Sequence, residues 1–268
     1  MTIANRSIKT AAFAAALTLA APLVLAQNFD AVRLYGAAFG QDGGSVGLAV
    51  LATSQYQGSD ERRNMLVPIL DYQWKNGWFA GTSNGVGVNL SNRPDIDYGL
   101  RVTADLGRAQ SRSSALNGMG DVDAKPEFGG FFNYAIDREL VLNSSLRYGS
   151  GTNSKGVLLD VGADYAKALA PQWRLGLRVA ATYANAEYMQ SYFGVDAGQA
   201  ASSAYATYTP GAGIRDVRAG ASVMYYLNPK TVITTALSVS SLQGDAKDSP
   251  LTRKRNDAMG IVAVSYGF

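Results

Sequence analysis

The residues in this chain best suited to making or breaking bonds are carboxylates beside a serine, Asp245 and Asp248 next to Ser249, and the pair Asp121 and Asp123. Two carboxylates can share general acid and base work, and a serine becomes a nucleophile when a neighbouring base takes its proton. That base is most often histidine, and the sequence has His 0 and Cys 0. His-dependent triads, the usual zinc ligand sets and any disulfide framework are therefore excluded. Loop carboxylates without such a partner are expected to be solvated or to bind Ca²⁺ weakly. We expect no enzyme, and no catalytic residue, cofactor or metal site is assigned. Gly85-Val86-Gly87-Val88 is no dinucleotide fingerprint, because no helix-forming sequence follows it.

What positions the remaining residues is legible from the two ends of the chain. Met1 to Thr10 carries Arg6 and Lys9 without an acid, Ala11 to Leu25 is apolar, and Val24-Leu25-Ala26 precedes Gln27. This is the grammar of a secretory signal peptide, with cleavage expected after Ala26. Its apolar stretch is short of the roughly 20 residues a transmembrane helix needs. Removing Arg6 and Lys9 takes the 24 basic residues to 22 against 21 acids, so the basic balance largely belongs to the leader and gives no reason to expect a nucleic-acid partner. At the other end Val262, Val264, Tyr266 and Phe268 share one face of a strand that stops on an aromatic residue. That is the pattern of a closing barrel strand, and these four are the expected barrel-insertion signal.

Between the ends lie segments that alternate with period two, such as Trp173 to Tyr183, Val157 to Tyr165 and Val217 to Leu227. They exceed the five or six residues usual in soluble sheets and match the nine to eleven of a tilted membrane strand. One face of each is apolar. The other carries Arg101, Asp105, Arg147, Asp160, Asp164, Arg174, Arg178, Asp216 and Arg218 in mid-strand. On a lipid face each charge would cost a few kcal/mol, so these are the candidate lumen-lining residues of a wet interior. Aromatics near strand ends, including Tyr72, Trp74, Trp173 and Tyr225, suit interfacial girdles.

Connections alternate between short ones, such as Asp137 to Glu139 and Asn228 to Lys230, and long ones, Ser54 to Met65, Arg108 to Pro126, Asn185 to Ala212 and Gln243 to Asn256. Outer-membrane barrels show this alternation, with short turns in the periplasm and long loops outside. Both termini fall inside when Gly77 to Leu90 forms two short strands turning near Ser83-Asn84. The expected fold is all-β, a transmembrane antiparallel β-barrel of about 12 strands within a range of about 10 to 14. The expected division is a signal peptide over 1–26, a periplasmic amino-terminal segment over 27–44 and the barrel over 45–268.

A set of landmarks in fixed order gives a more specific reading. Tyr56-Gln57-Gly58-Ser59-Asp60 with Val67-Pro68, then Tyr192-Phe193-Gly194-Val195, Tyr208 with Pro210 to Val217, Tyr225 to Pro229, and Leu242 with Gly244 to Ala246 and Asp248 to Pro250, together resemble the MipA/OmpV family of outer-membrane proteins. The resemblance implies a scaffold in the outer membrane of a Gram-negative bacterium. It would link a lytic transglycosylase and a bifunctional murein synthase in peptidoglycan assembly, with lipid, lipopolysaccharide and the barrel-insertion machinery as further partners. Gly267 departs from the bulkier penultimate residue of the family. Two other functions stay open: a narrow channel for small polar solutes, and a surface structural or adhesive protein acting through its long loops.

Overall fold

The computed structural model describes residues 41–268. The leader and most of the amino-terminal segment expected from the sequence therefore lie outside the described residues. Twelve strands form one closed antiparallel barrel in which neighbours in sequence are neighbours in space. They are β1 (Gly43–Ser54), β2 (Arg62–Gln73), β3 (Trp78–Gly81), β4 (Gly85–Asn89), β5 (Ile96–Asp105) and β6 (Lys125–Ala135). The wall continues through β7 (Leu140–Ser150), β8 (Gly156–Ala170), β9 (Trp173–Ala184), β10 (Gly213–Asn228), β11 (Thr231–Leu242) and β12 (Asn256–Gly267). β1 and β12 close the ring through a register running from Ser45↔Gly267 to Ala52↔Gly260. No described helix is long and apolar enough to cross a membrane.

Period-two alternation settles which face of each strand looks outward. Val46, Leu48 and Val50 of β1, and Val262, Val264 and Tyr266 of β12, are exposed, whereas Ala49, Leu51, Ile261 and Ala263 between them are buried. A belt of exposed Leu, Val and aromatic side chains continues around the wall on Leu66, Leu100, Phe132, Leu146, Val179 and Leu237. Such a surface suits lipid and would be unfavourable in water.

The short turns are fixed locally. Asp137 accepts hydrogen bonds from the Glu139 and Leu140 N–H groups at 2.7 and 2.8 Å, and Asn228 Oδ1 accepts from Lys230 and Thr231 at 2.9 Å. These side chains satisfy turn donors that would otherwise splay the hairpins. At the same end Tyr72 meets Trp74 edge-on at 4.8 Å, and Trp173 meets Tyr225 at 4.6 Å. Tyr165 and Tyr266 add hydroxyls near the same level, a distribution suited to a membrane interface.

Two features depart from a plain cylinder. β3 and β4 have only four and five residues, so they cover part of the wall height. The long external connections also contain three short α-helices that alternation could not reveal. They are α1 (Ala186–Phe193), α2 (Ala197–Ser202) and α3 (Gly244–Asp248).

Candidate functional site

The inward faces of β5 to β10 carry a continuous belt of charge. Arg101 Nη2 donates to Ser145 Oγ at 2.7 Å, and Thr103 donates to Glu127 Oε2 at 3.2 Å. Arg147 lies at the centre, with Nη1 on Glu127 Oε2 at 3.0 Å and Nη2 on Asp160 Oδ2 at 2.7 Å. Asp160 Oδ1 also accepts from Thr182 at 2.6 Å and from Arg218 at 3.0 Å. The chain of contacts ends on Asp216, which takes Arg215 Nε at 2.6 Å and lies 3.4 Å from Arg218 Nη1. A register shift between Ile214 and Asp216 turns both Arg215 and Asp216 inward, where alternation would send one of them out.

At the external end, α1 and the loops pack over this belt. Asn185 caps α1 by accepting from Tyr188 N, and its amide donates to Lys155 O, tying the helix start to the β7–β8 loop. Tyr188, Met189, Tyr192 and Phe193 are the buried residues of α1, two adjacent pairs one turn apart. Tyr192 donates its phenol hydrogen to the Asp105 carboxylate, with oxygens at 2.5 and 2.6 Å, and Arg108 Nη1 donates to the Tyr192 carbonyl at 2.8 Å. On another part of the ring Arg215 donates to the Tyr188 hydroxyl at 2.9 Å, its guanidinium 5.3 Å from that ring's centre. The helix is thereby pinned to β5 and to β10, five strands apart around the barrel.

Apolar packing completes the plug. α1 shares one cluster with Val122, Leu158, Ala184, Leu242 and Ala246. A second cluster joins Tyr56, Leu116, Met119, Val195 and Leu251, drawn from four loops. Ser249 donates to the Phe193 carbonyl at 2.6 Å and accepts from Leu251 N at 3.1 Å, while Tyr56 donates to the Leu251 carbonyl at 3.0 Å.

Each residue singled out from the sequence has a defined place. Arg101, Asp105, Arg147, Asp160 and Asp216 are no more than 4% exposed, and Arg218 is nearly as buried. A wet lumen was the reason to put charge there; at this level the charges are buried beneath α1 and the cap and held by one another. Asp164 and Arg178 form a separate, partly exposed pair at 3.6 Å nearer the periplasmic end, with Asn143 donating to Asp164 at 2.6 Å. Arg174 shares the inward face with Arg178 by alternation but is exposed at the periplasmic rim. Val262, Val264, Tyr266 and Phe268 all point outward.

The carboxylate and serine candidates do not converge. Asp245 accepts from Gly211 N at 2.7 Å, Asp248 pairs with Lys247 at 3.0 Å, and Asp121 accepts from Gln110 N at 2.6 Å, while Ser249 bolts the cap to α1. Each of these contacts ties loop backbone or a neighbouring side chain, and none joins a carboxylate to Ser249. No group of three or more potential metal ligands occurs among the described residues. Sequence reasoning missed Glu127, Thr182, Arg215, Tyr188 and Tyr192. A Tyr-x-x-x-Tyr spacing at 188 and 192, one helical turn, was the available signal for the last two.

Burial raises the pKa of the plug phenols, which keeps them protonated. Tyr188 is pushed up to about 12 by loss of solvent, and Tyr192 higher still by burial with Tyr188 and the Asp105 charge adding to it. Tyr56 in the cap is pushed to about 12, again mainly by burial. In the unfolded chain these phenols ionise near about pH 10. Because the folded values are the higher ones, their stabilisation is complete below about pH 10 and is lost as pH rises through about 12. Thermal stability is therefore expected to fall above about pH 10. In a Tyr188→Phe, Tyr192→Phe variant that fall should be shallower. An equal alkaline slope in wild type and variant would count against buried phenols in the plug.

A profile of the family described as MltA-interacting protein MipA matches residues 46–268. No curated protein matches the chain. Among solved structures, a bacterial polysaccharide outer membrane secretin is similar at 7% identity and a TM-score of 0.47, covering 87% of this chain and 100% of that one. An outer membrane channel from Pseudomonas putida F1 is similar at 13% identity and a TM-score of 0.46, covering 88% and 99%. The KdgM porin is similar at 9% identity and a TM-score of 0.44, covering 84% and 99%. With the profile spanning the whole barrel from β1 to the final residue, the chain belongs to the MipA family of outer-membrane proteins.

Proposed function

We propose that this barrel is a closed anchoring protein, holding a murein-degrading lytic transglycosylase, and through it a murein synthase, at the inner face of the outer membrane. The observation that carries the reading is the plug. A barrel whose mouth is bolted by α1 to Asp105 and Arg215 is poorly suited to passing solutes and well suited to serving as a rigid fixture. The family description, which names an interaction with such an enzyme, supports the choice of partner.

The periplasmic contact surface consists of the inner connections. Among the described residues the longest is 90–95, where Asn89 Oδ1 and Ser91 order the backbone and Arg93 pairs with Asp95 at 2.5 Å. Its exposed charges and Pro94 make it the first segment to alter. Affinity capture with the purified full-length protein from a solubilised envelope is expected to recover a lytic transglycosylase. Substituting Arg93 and Asp95 with Ala is expected to weaken that capture. Recovery of no murein enzyme at all would count decisively against the reading.

A further inference from the structure

The barrel wall has a notch on one side. β2 pairs with β3 only through Asp71, Tyr72 and Gln73. The tip of the β3–β4 hairpin is level with Leu70, whose N–H donates to Thr82 Oγ1 at 3.1 Å and whose carbonyl accepts from Thr82 N at 2.9 Å. Above that point β2 runs from Ile69 to Arg62 with β1 on one edge and, among the described residues, no strand on the other. These eight residues correspond to roughly 20 Å of wall height at the usual rise and tilt. The opening therefore faces the outer leaflet.

Antiparallel pairing sends alternate backbone groups to opposite edges. Leu70 directs its groups to the hairpin, so Pro68, Leu66 and Asn64 direct theirs into the notch. Open backbone groups are costly in hydrocarbon. Pro68 has no N–H, which removes one orphan donor and also discourages a further strand from pairing there.

The surroundings have two chemical characters. Met65, Ile69 and Leu106 pack on the inner apolar cluster behind the opening, and Leu66 and Leu70 form its exposed lip. At the top Arg63 is half-buried on the inward face, its side chain making no hydrogen bond or ion pair among the described residues, and its Nε is fully buried without a partner. Its charged neighbour is a second guanidinium, Arg112, which donates to the Gly107 carbonyl at 3.2 Å. The nearby Glu61 carboxylate is engaged by the Ser113 hydroxyl at 3.1 Å.

We propose that the notch between β2 and β5 binds a phosphate-bearing lipid of the outer leaflet, an acyl chain lying along Leu66 and Leu70 and the phosphate held by Arg63 and Arg112. Two guanidiniums above a hydrocarbon slot match the two halves of such a molecule, since planar guanidinium donors suit phosphate oxygens. A partner strand is the poorer occupant because Pro68 interrupts the donor pattern it would read. A neutral lipid leaves Arg63 unpaired.

Native mass spectrometry of the full-length protein in detergent, with diphosphorylated lipid A and its dephosphorylated form as probes, tests this. One phosphorylated lipid is expected to stay bound where the dephosphorylated form does not. Arg112→Gln alone, and Arg63→Gln with Arg112→Gln, should weaken retention, the double change by about tenfold or more. Arg253→Gln, an exposed position on the cap, should leave it unchanged. A heat-dependent gel shift confirms that each variant is a folded barrel, and Arg112 lies outside the wall, so its variant keeps every strand. Equal retention of both lipids, or undiminished retention in both variants, would overturn the proposal.

Discussion

Arg147→Met is expected to destabilise the folded barrel by about 3–5 kcal/mol, because it leaves the buried Glu127 carboxylate without a cation and takes one of two guanidiniums from Asp160. Arg147 is 3% exposed and bridges Glu127 and Asp160. Glu127 is more buried still, and its other oxygen, Oε1, has no hydrogen-bond partner. Removing the guanidinium leaves Glu127 with the Thr103 hydroxyl as its hydrogen-bond donor, while Asp160 keeps Arg218 and Thr182. The asymmetry makes a second variant informative. Adding Glu127→Gln to Arg147→Met should recover a large part of the loss, since the worst-placed charge disappears with its partner. Urea unfolding in lipid vesicles, followed by the gel shift of the folded barrel, measures both. A loss below about 1 kcal/mol for Arg147→Met would mean that water reaches the belt.

Excising the plug should have a comparably large effect on permeability. Replacing residues 186–203 by a short Gly-Ser linker removes α1 and α2, and with them Tyr188, Tyr192 and Phe193. Asp105 and Arg215 then face open water, and the apolar clusters lose Tyr188, Met189 and Val195. Liposomes carrying the excised protein are expected to swell in small neutral solutes, while those carrying the intact protein are not. The wall itself should survive, because β9 and β10 remain joined by a register from Gly213↔Ala184 to Tyr225↔Trp173. Equal swelling of both preparations would show that α1 is not what closes the mouth.

Much of the architecture is legible in the sequence because barrel strands are long, regular and local. Alternation along Trp173 to Tyr183 needs no knowledge of partners, and the turn residues Asp137 and Asn228 mark strand ends by their own chemistry. Even the short pair β3 and β4 follows from the parity of the connections. What the sequence hides is everything set by register or by a shift in it. Arg215 sits out of phase with Asp216 and Arg218, and only the bulge at that point turns it inward. Glu127 pairs with Arg147 because β6 and β7 are adjacent at a particular offset, with Phe128 opposite Tyr148. α1 is eight residues long in a connection rich in Ala, Ser and Tyr, too short for helical periodicity to separate it from loop.

The division of the interior also has physical meaning. The middle of the inward faces of β1, β2 and β12 is apolar, with Leu51 and Val67 at 0% and 1% exposure, while those of β5 to β10 are charged. Leu106, just past the end of β5, packs against the apolar side. Helix α1 meets the charged side with hydroxyls and the apolar loops with Met189 and Phe193. A plug that carries both kinds of contact on eight residues has one seating that satisfies them, which is what a fixed closure requires.

Current through intact, refolded protein in a planar lipid bilayer tests the closed mouth most directly. The structure predicts silence at neutral pH, with insertion verified by the gel shift of the recovered protein. Steady, reproducible conductance steps from the unaltered full-length chain would contradict it.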